Sequence, residues 1–213
     1  MSPFGGGRGR IMKLEKDFYL SEDVVQISKD LLGKYLCTKI DGKLTSGIIT
    51  ETEAYAGEID KASHAYNNRR TSRTEIMFAD GGVSYVYLCY GIHHLFNVVT
   101  NYKNVPHAVL IRAIKPAEGL KTIFKRRNIS TEDDLVSFVK KDKKNKIAGG
   151  PGTVSQALGI KTEHSGLDLT GNKIWIEDKG IKISKKDIIA GPRVGVDYAG
   201  EDAKLPYRFI INL

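Results

Sequence analysis

The sequence predicts an α+β fold, one domain built mostly from antiparallel strands with a few helices. Three observations carry this. Short runs rich in Val, Ile and Tyr alternate in hydrophobicity with period two, as half-buried strands do. Two of these runs are joined by Asp41-Gly42, a pair suited to a tight hairpin turn. Helical periodicity is confined to short stretches, and neither an internal repeat nor a shift in composition marks a second domain in 213 residues.

The opening MSPFGGGRGR is rich in Gly and Arg and has no periodicity. Residues 1–13 are therefore expected to form a flexible arm, and 14–213 the single domain. In SEDVVQISKDLLG, Ser21 is the expected N-cap. Val24, Val25, Ile27, Leu31 and Leu32 share a helical face, and Gly33 ends it. KYLCTKI and LTSGIITETEAY follow as the hairpin strands. Residues 56–82 are polar and irregular, and connections of that length are often functional. Strands are expected at 83–90, 92–100 and 107–114. A helix is expected to open at Pro116, burying Leu120, Ile123 and Phe124. TEDDLVSFVKK reads as a further short helix, and GGPGTVSQALG as a glycine-rich turn leading into a helix that stops near Gly159. NKIWIED, IKIS, RVGV and YRFIINL read as short C-terminal strands.

Lys and Arg number 33 against 25 Asp and Glu, giving a net charge of +8. An anionic partner fits that excess, nucleic acid ahead of acidic lipid. The lysine run at 140–146 suits either a solvated loop or a phosphate contact. Cys37 and Cys89 are too few for a disulfide framework and read as small apolar strand residues. No apolar run approaches the length of a membrane span, and there is no secretory leader pattern at the start. An intracellular protein with no membrane association is expected.

Four groups could carry chemistry. In ETEAY, Glu51, Glu53 and Tyr55 share one strand face. The carboxylates either form an exposed acidic strand end or, if buried, raise each other's pKa and supply a general base. Arg112 interrupts the apolar AVLIRAI, where a buried guanidinium calls for a carboxylate partner. Beside Glu53 it would hold that carboxylate ionised. Tyr85 and Tyr87 share a strand face, but Tyr90 breaks the alternation at Tyr90-Gly91, which puts a large ring at a hairpin tip. Finally, His64, His93, His94 and Cys89 lack metal-ligand spacing, and adjacent histidines on a strand face opposite ways. No metal and no cofactor are expected.

Taken in order, GIITETEAYAGEIDKASHA, MF, YVYLCYGIHHLFNV, AVLIRA with PAEGL, and RVGVDYAGEDAKLPYRF resemble the alkyladenine (3-methyladenine) DNA glycosylase family. The resemblance runs from about Leu14 to Phe209. It implies a compact domain around a curved antiparallel sheet with a protruding hairpin. It also implies a monofunctional enzyme, acting as a monomer, that flips damaged purines such as 3-methyladenine or hypoxanthine out of double-stranded DNA and hydrolyses the N-glycosidic bond.

By that resemblance Glu53 is the base that activates water, and Arg112 and the backbone carbonyl of Val194 hold the water. Tyr55 and Tyr87 sandwich the extruded base, with His64 beside them and Ala62 lining the pocket. Asn97 crowds the position of guanine's exocyclic amine. Tyr90 is the wedge that fills the gap in the duplex, with Ile92 as its apolar neighbour. Arg69 and Arg73, in the basic NRRTSR, are expected to contact the DNA backbone. The competing reading is a non-catalytic nucleic-acid-binding module of related fold. A paired buried Glu53 and Arg112 would separate the two, because a binder needs no such pair.

Overall fold

The computed structural model describes residues 12–129 and 147–213. The first elements are β1 (Met12–Lys13), α1 (Lys16–Tyr19), α2 (Val24–Asp30) and the hairpin β2 (Tyr35–Ile40) and β3 (Lys43–Tyr55). A long segment of turns leads to β4 (Ser84–Cys89), β5 (His93–Thr100) and β6 (His107–Glu118). After these come α3 (Leu120–Arg126), α4 (Pro151–Leu158), β7 (Ile174–Asp178), β8 (Ile189–Gly191) and β9 (Arg208–Ile210). The nine strands form one open antiparallel sheet in the order β1-β7-β2-β3-β6-β5-β4. β9 pairs with the later part of β3 and carries β8 on its far side. The α+β expectation holds. Met12 and Lys13, expected in the arm, pair with β7.

The sheet's two faces have different coverings. On one, Val24 and Ile27 of α2 and Leu31 at its C-terminal cap, Ile123 and Phe124 of α3, and Val154 and Leu158 of α4 pack on Ile49, Phe96, Val98, Val109 and Ile111. This is the main core. Alternation along β4 and β5 turns Tyr85, Tyr87, Leu95 and Asn97 to the other face. There Tyr85, Val99 and Ala108 meet Ala65, Met77 and Phe78, which come from the irregular segment. That segment thus covers the second face incompletely, and the incompleteness leaves room for a site.

Several boundaries differ from expectation. Asp23, not Ser21, caps α2: its Oδ1 accepts the Gln26 N–H at 2.9 Å. Pro116 does not open a helix. It lies in β6 opposite Gly47, where the register shifts, one of the places a sheet tolerates proline. The helix starts after Gly119 instead, whose φ of +71° and whose proximity to the Leu44 carbonyl exclude any side chain. Among the described residues, 181–184 pair with no strand, and Ile183 packs against the main core instead. RVGV is not a strand either, because Gly195 turns with φ +73°. β8 is a strand that the composition does not signal. The helix expected at TEDDLVSFVKK and the lysine run at 140–146 lie outside the described residues.

Candidate active site

A cleft of about 560 Å³ opens on the second face. Tyr55, Ala62, His64, Tyr87, Tyr90, Asn97, Arg112 and Val194, all singled out in the sequence, line it. Four chain segments converge here: the end of β3, the irregular segment that follows it, the hairpin β4–β5 with β6 beside it, and the stretch after β8. The glycine-rich start of α4 closes another side, with Gly152 against the His93 ring.

Glu53 lies beneath this lining and is fully buried. Its Oε1 accepts the Val194 N–H at 2.8 Å. Its Oε2 accepts the Tyr55 hydroxyl at 2.9 Å and Arg112 Nη1 at 3.3 Å. Val194 thus also aligns Glu53 through its N–H, a contact separate from the water-holding expected of its carbonyl. Burial pushes the Glu53 carboxyl above the ordinary range, and Arg112, the Val194 N–H and the Tyr55 hydroxyl only partly offset this. Arg112 therefore pairs with Glu53 as expected, but burial outweighs its effect on ionisation.

Glu51 shares the face, as the period-two reading required, and its role is separate. Its Oε1 accepts Arg112 Nε at 2.8 Å and Arg208 Nε at 2.7 Å. Two guanidiniums on one carboxylate leave it little repulsion to exert on Glu53, where it is the smallest of the five influences named. The chain creates this geometry with irregular pairing. Glu51 faces Ala113 and Thr52 faces Ile111, so Arg112 bulges from β6 and its fork reaches both carboxylates.

The aromatic wall is only partly legible in the sequence. Tyr87 lies 4.6 Å from the His64 ring, edge to face, and 5.4 Å from Tyr85. Tyr85 is an unexpected member of the site. It is buried, and its hydroxyl lies 2.8 Å from His64 Nδ1, fixing that ring. Its position two residues before Tyr87 on one strand face is the available signal. Burial first, then Arg73 and Arg69, lower the His64 pKa to about 4, so the ring is neutral at pH 7. Asn97 is buried and donates from Nδ2 to the Tyr85 carbonyl at 3.1 Å and the Leu95 carbonyl at 3.4 Å.

A buried ion pair, also absent from the sequence-based expectations, braces the cleft. Arg193 and Asp60 are joined through the two terminal guanidinium nitrogens, Nη1 and Nη2, and Arg193 Nη1 also donates to the Ala54 carbonyl. Asp60 in turn accepts the Ala56 and Ala62 N–H groups. The guanidinium lies 4.8 Å from the Tyr55 ring centre. The partners are 133 residues apart, and no local pattern could have joined them.

At the hairpin tip Cys89 pairs with His93, and the Ile92 N–H donates to the Cys89 carbonyl at 3.1 Å. Tyr90 and Gly91 have φ of +51° and +73°, the pattern of a primed hairpin turn. Tyr90 is 89% exposed and Ile92 70%. Arg73 sits 6.0 Å over the Tyr87 ring, and Arg69 is exposed nearby. Neither has an ion pair among the described residues. Arg70 between them is engaged with Glu75 and Asn104.

His93 lies against Gly152 while His94 Nδ1 accepts the Thr162 N–H, so the two histidines diverge. Among the described residues, no cluster of three His, Cys, Asp or Glu side chains could hold a metal, and no helix is long and apolar enough to cross a membrane.

Comparison with known proteins supplies the context for this geometry. The family model described as methylpurine-DNA glycosylase matches residues 17–213. A Chlamydia felis protein named "putative 3-methyladenine DNA glycosylase" is 48% identical over 200 residues, covering 94% of this chain and 96% of its own. Proteins of the same name from Bacillus cytotoxicus and Alkaliphilus oremlandii are 44% and 42% identical, each covering 95% or more of the relative. A buried Glu–Arg pair beneath an aromatic cleft, with a strained tyrosine beside its mouth, thus occurs in a chain that belongs to the methylpurine-DNA glycosylase family.

Proposed function

We propose that this protein extrudes damaged purines, 3-methyladenine and hypoxanthine among them, from duplex DNA and hydrolyses their N-glycosidic bond with water activated by Glu53. The observation that carries this reading is Glu53 itself. It is a fully buried carboxylate, aligned by the Val194 N–H, Tyr55 and Arg112, directly beneath an aromatic cleft.

Each residue has a physical task in this reading. A stacked purine cannot present its glycosidic bond to a buried carboxylate, so it must leave the helix, at a cost of a few kcal/mol. Tyr90 and Ile92 enter the vacated space and restore part of the stacking. The purine slides between Tyr55 and Tyr87, whose π faces favour electron-poor or cationic rings. Neutral His64 adds no positive charge against such a base. Asn97, held by two carbonyls, keeps a fixed amide in the pocket and crowds a 2-amino group.

As the glycosidic bond breaks, its electron pair leaves with the purine and the sugar takes on oxocarbenium character. The Glu53 carboxylate stabilises that charge and accepts a proton from water as its oxygen bonds the anomeric carbon. 3-Methyladenine leaves its cationic nucleoside as a neutral base and the Glu53 proton passes to solvent, whereas hypoxanthine leaves as an anion and takes up that proton; either way the products are a free purine base and an abasic sugar. No lysine is among the described residues lining the cleft, which favours hydrolysis without a Schiff base or strand cutting. Arg69 and Arg73 supply phosphate contacts next to the cleft.

The test is release of free base from duplexes carrying 3-methyladenine or hypoxanthine, in EDTA, with strand scission scored before and after alkali. Free base with intact strands is expected. Tight binding without release would leave the non-catalytic module as the reading. A further lesion panel ranks the substrates.

A further inference from the structure

Tyr198 is the second of two strongly exposed aromatic rings lining the cleft. It is 70% exposed, against 89% for Tyr90, and these are the two most exposed aromatic rings among the described residues. An isolated exposed tyrosine needs no explanation, but this one is held. Its hydroxyl donates to the Ala62 carbonyl at 3.0 Å, although water would satisfy that hydroxyl equally well. The segment carrying it is fastened to the loop carrying Ala62. Ala199 packs with Ala62 and Val196, Lys61 N–H donates to Asp202 Oδ2 at 2.9 Å, and Arg193 Nη2 donates to the Asp202 carbonyl at 3.1 Å. The ring has thus lost its freedom before any ligand arrives, while most of its surface stays in water. That is the arrangement of a preorganised contact.

Tyr55 and Tyr87 provide the faces for the purine deeper in the cleft, and Tyr198 belongs to its exposed edge. A purine that enters through that opening brings its own deoxyribose behind it, and the sugar presents an apolar C–H surface. We infer that Tyr198 is a substrate-contacting residue that packs against the deoxyribose of the extruded nucleotide, held in place by the Ala62 carbonyl. This rests on the base-extrusion reading above. It adds a contact made by the C-terminal segment to those made by the hairpin.

The experiment measures affinity of wild type, Tyr198→Ala and Tyr198→Phe for three ligands. These are a duplex bearing a hydrolysis-resistant 2′-fluoro hypoxanthine nucleotide, the matching undamaged duplex, and free 3-methyladenine as a competitor. Tyr198→Ala should weaken the lesion duplex about tenfold, within the range for aromatic contacts to nucleotides. Binding of undamaged duplex, competition by free base and melting temperature should all stay at wild-type values. Tyr198→Phe keeps the ring but loses its anchor and should fall between. Unchanged lesion affinity in Tyr198→Ala, an equal loss on undamaged duplex, weakened free-base competition or a large loss of stability would each overturn the inference. Failure of the underlying reading looks different: wild type itself would release no base from any lesion duplex.

Discussion

The hairpin tip and the cleft floor solve opposite problems. At the tip, Tyr90 and Ile92 stand in water, and Tyr90 adopts a left-handed backbone that costs a side-chain-bearing residue roughly 1–2 kcal/mol. At the floor, Glu53 is out of water altogether and accepts three donors. The tip has apolar surface and strain not yet compensated by any partner. The floor has every strong interaction formed in advance. A region that must leave the protein and enter another molecule has to stay unsatisfied in the free state. A region that acts on charge developing in a reaction gains by being fixed beforehand.

The contrast can be tested at both ends. The largest effect is expected at the floor. Glu53→Gln should slow base release roughly 10²–10⁴-fold while lesion binding persists, because a general base is lost but the stacking faces remain. Single-turnover excision beside binding measures both, and a rate near wild type would move the role elsewhere, with Glu51 the neighbour to test. The wild-type pH profile adds a sign. The base works ionised and burial raises its pKa, so the rate should climb with pH along a limb above the ordinary carboxyl value of 4.5. The same raised pKa gives stability that is present below 4.5 and lost as pH rises through the folded-state pKa. The stability of Glu53→Gln should therefore improve relative to wild type over that rise.

Next is Tyr55→Phe, which keeps the stacking ring and deletes only the donor to Glu53. Loss of a hydrogen bond to a charged group costs about 1.5–3 kcal/mol, or roughly 10–100-fold in rate. The hydroxyl lowers the Glu53 pKa, so the acid limb should move upward while affinity stays near wild type. An unmoved limb would show that the floor does not depend on this bond.

At the tip, Tyr90→Ala should cost about 1–3 kcal/mol in binding an abasic duplex and leave the melting temperature unchanged. Tyr85→Ala on the same hairpin is the control: that ring is buried, and truncation should cost about 3–5 kcal/mol of stability. Asn97→Ser should then raise excision of guanine relative to hypoxanthine about tenfold, in line with modest pocket discrimination. Unchanged relative rates would remove Asn97 from selectivity. The smallest effect is Tyr90→Gly. It should stabilise the fold by about 1 kcal/mol by relieving the positive φ, even as binding weakens. Opposite signs in one variant would show that the tip's strain is retained for contact with DNA; a loss of stability would show that Tyr90 packs.

Much of the fold is legible in the sequence because its signals are local. Asp41-Gly42 makes the hairpin turn, with φ of +54° and +68°, and the alternation in β4 and β5 sorts Tyr85 and Tyr87 from Val86. The end of β6 is misplaced because proline is a helix-start signal by itself and an edge or bulge residue only in a sheet. IKIS and RVGV have strand composition, but pairing needs a neighbour: among the described residues no strand pairs with IKIS, and Gly195 turns RVGV away from an extended course.

Which residues face together along each strand can be read from the chain alone. Glu51, Glu53 and Tyr55 lie on one side, and the tyrosine at 90 lies out of step, because a period of two needs no knowledge of the fold. Which carboxylate is the buried one depends on the folded molecule. Glu51 meets Arg208 from the C-terminal strand, while Glu53 is covered by Val194, Tyr55 and Arg112. The same holds for the brace between Asp60 and Arg193 and for the place of Tyr198 in the cleft. Burial and ion pairing depend on what the rest of the chain brings alongside, and Arg112, Val194 and Arg208 are all distant in sequence from the carboxylates they hold.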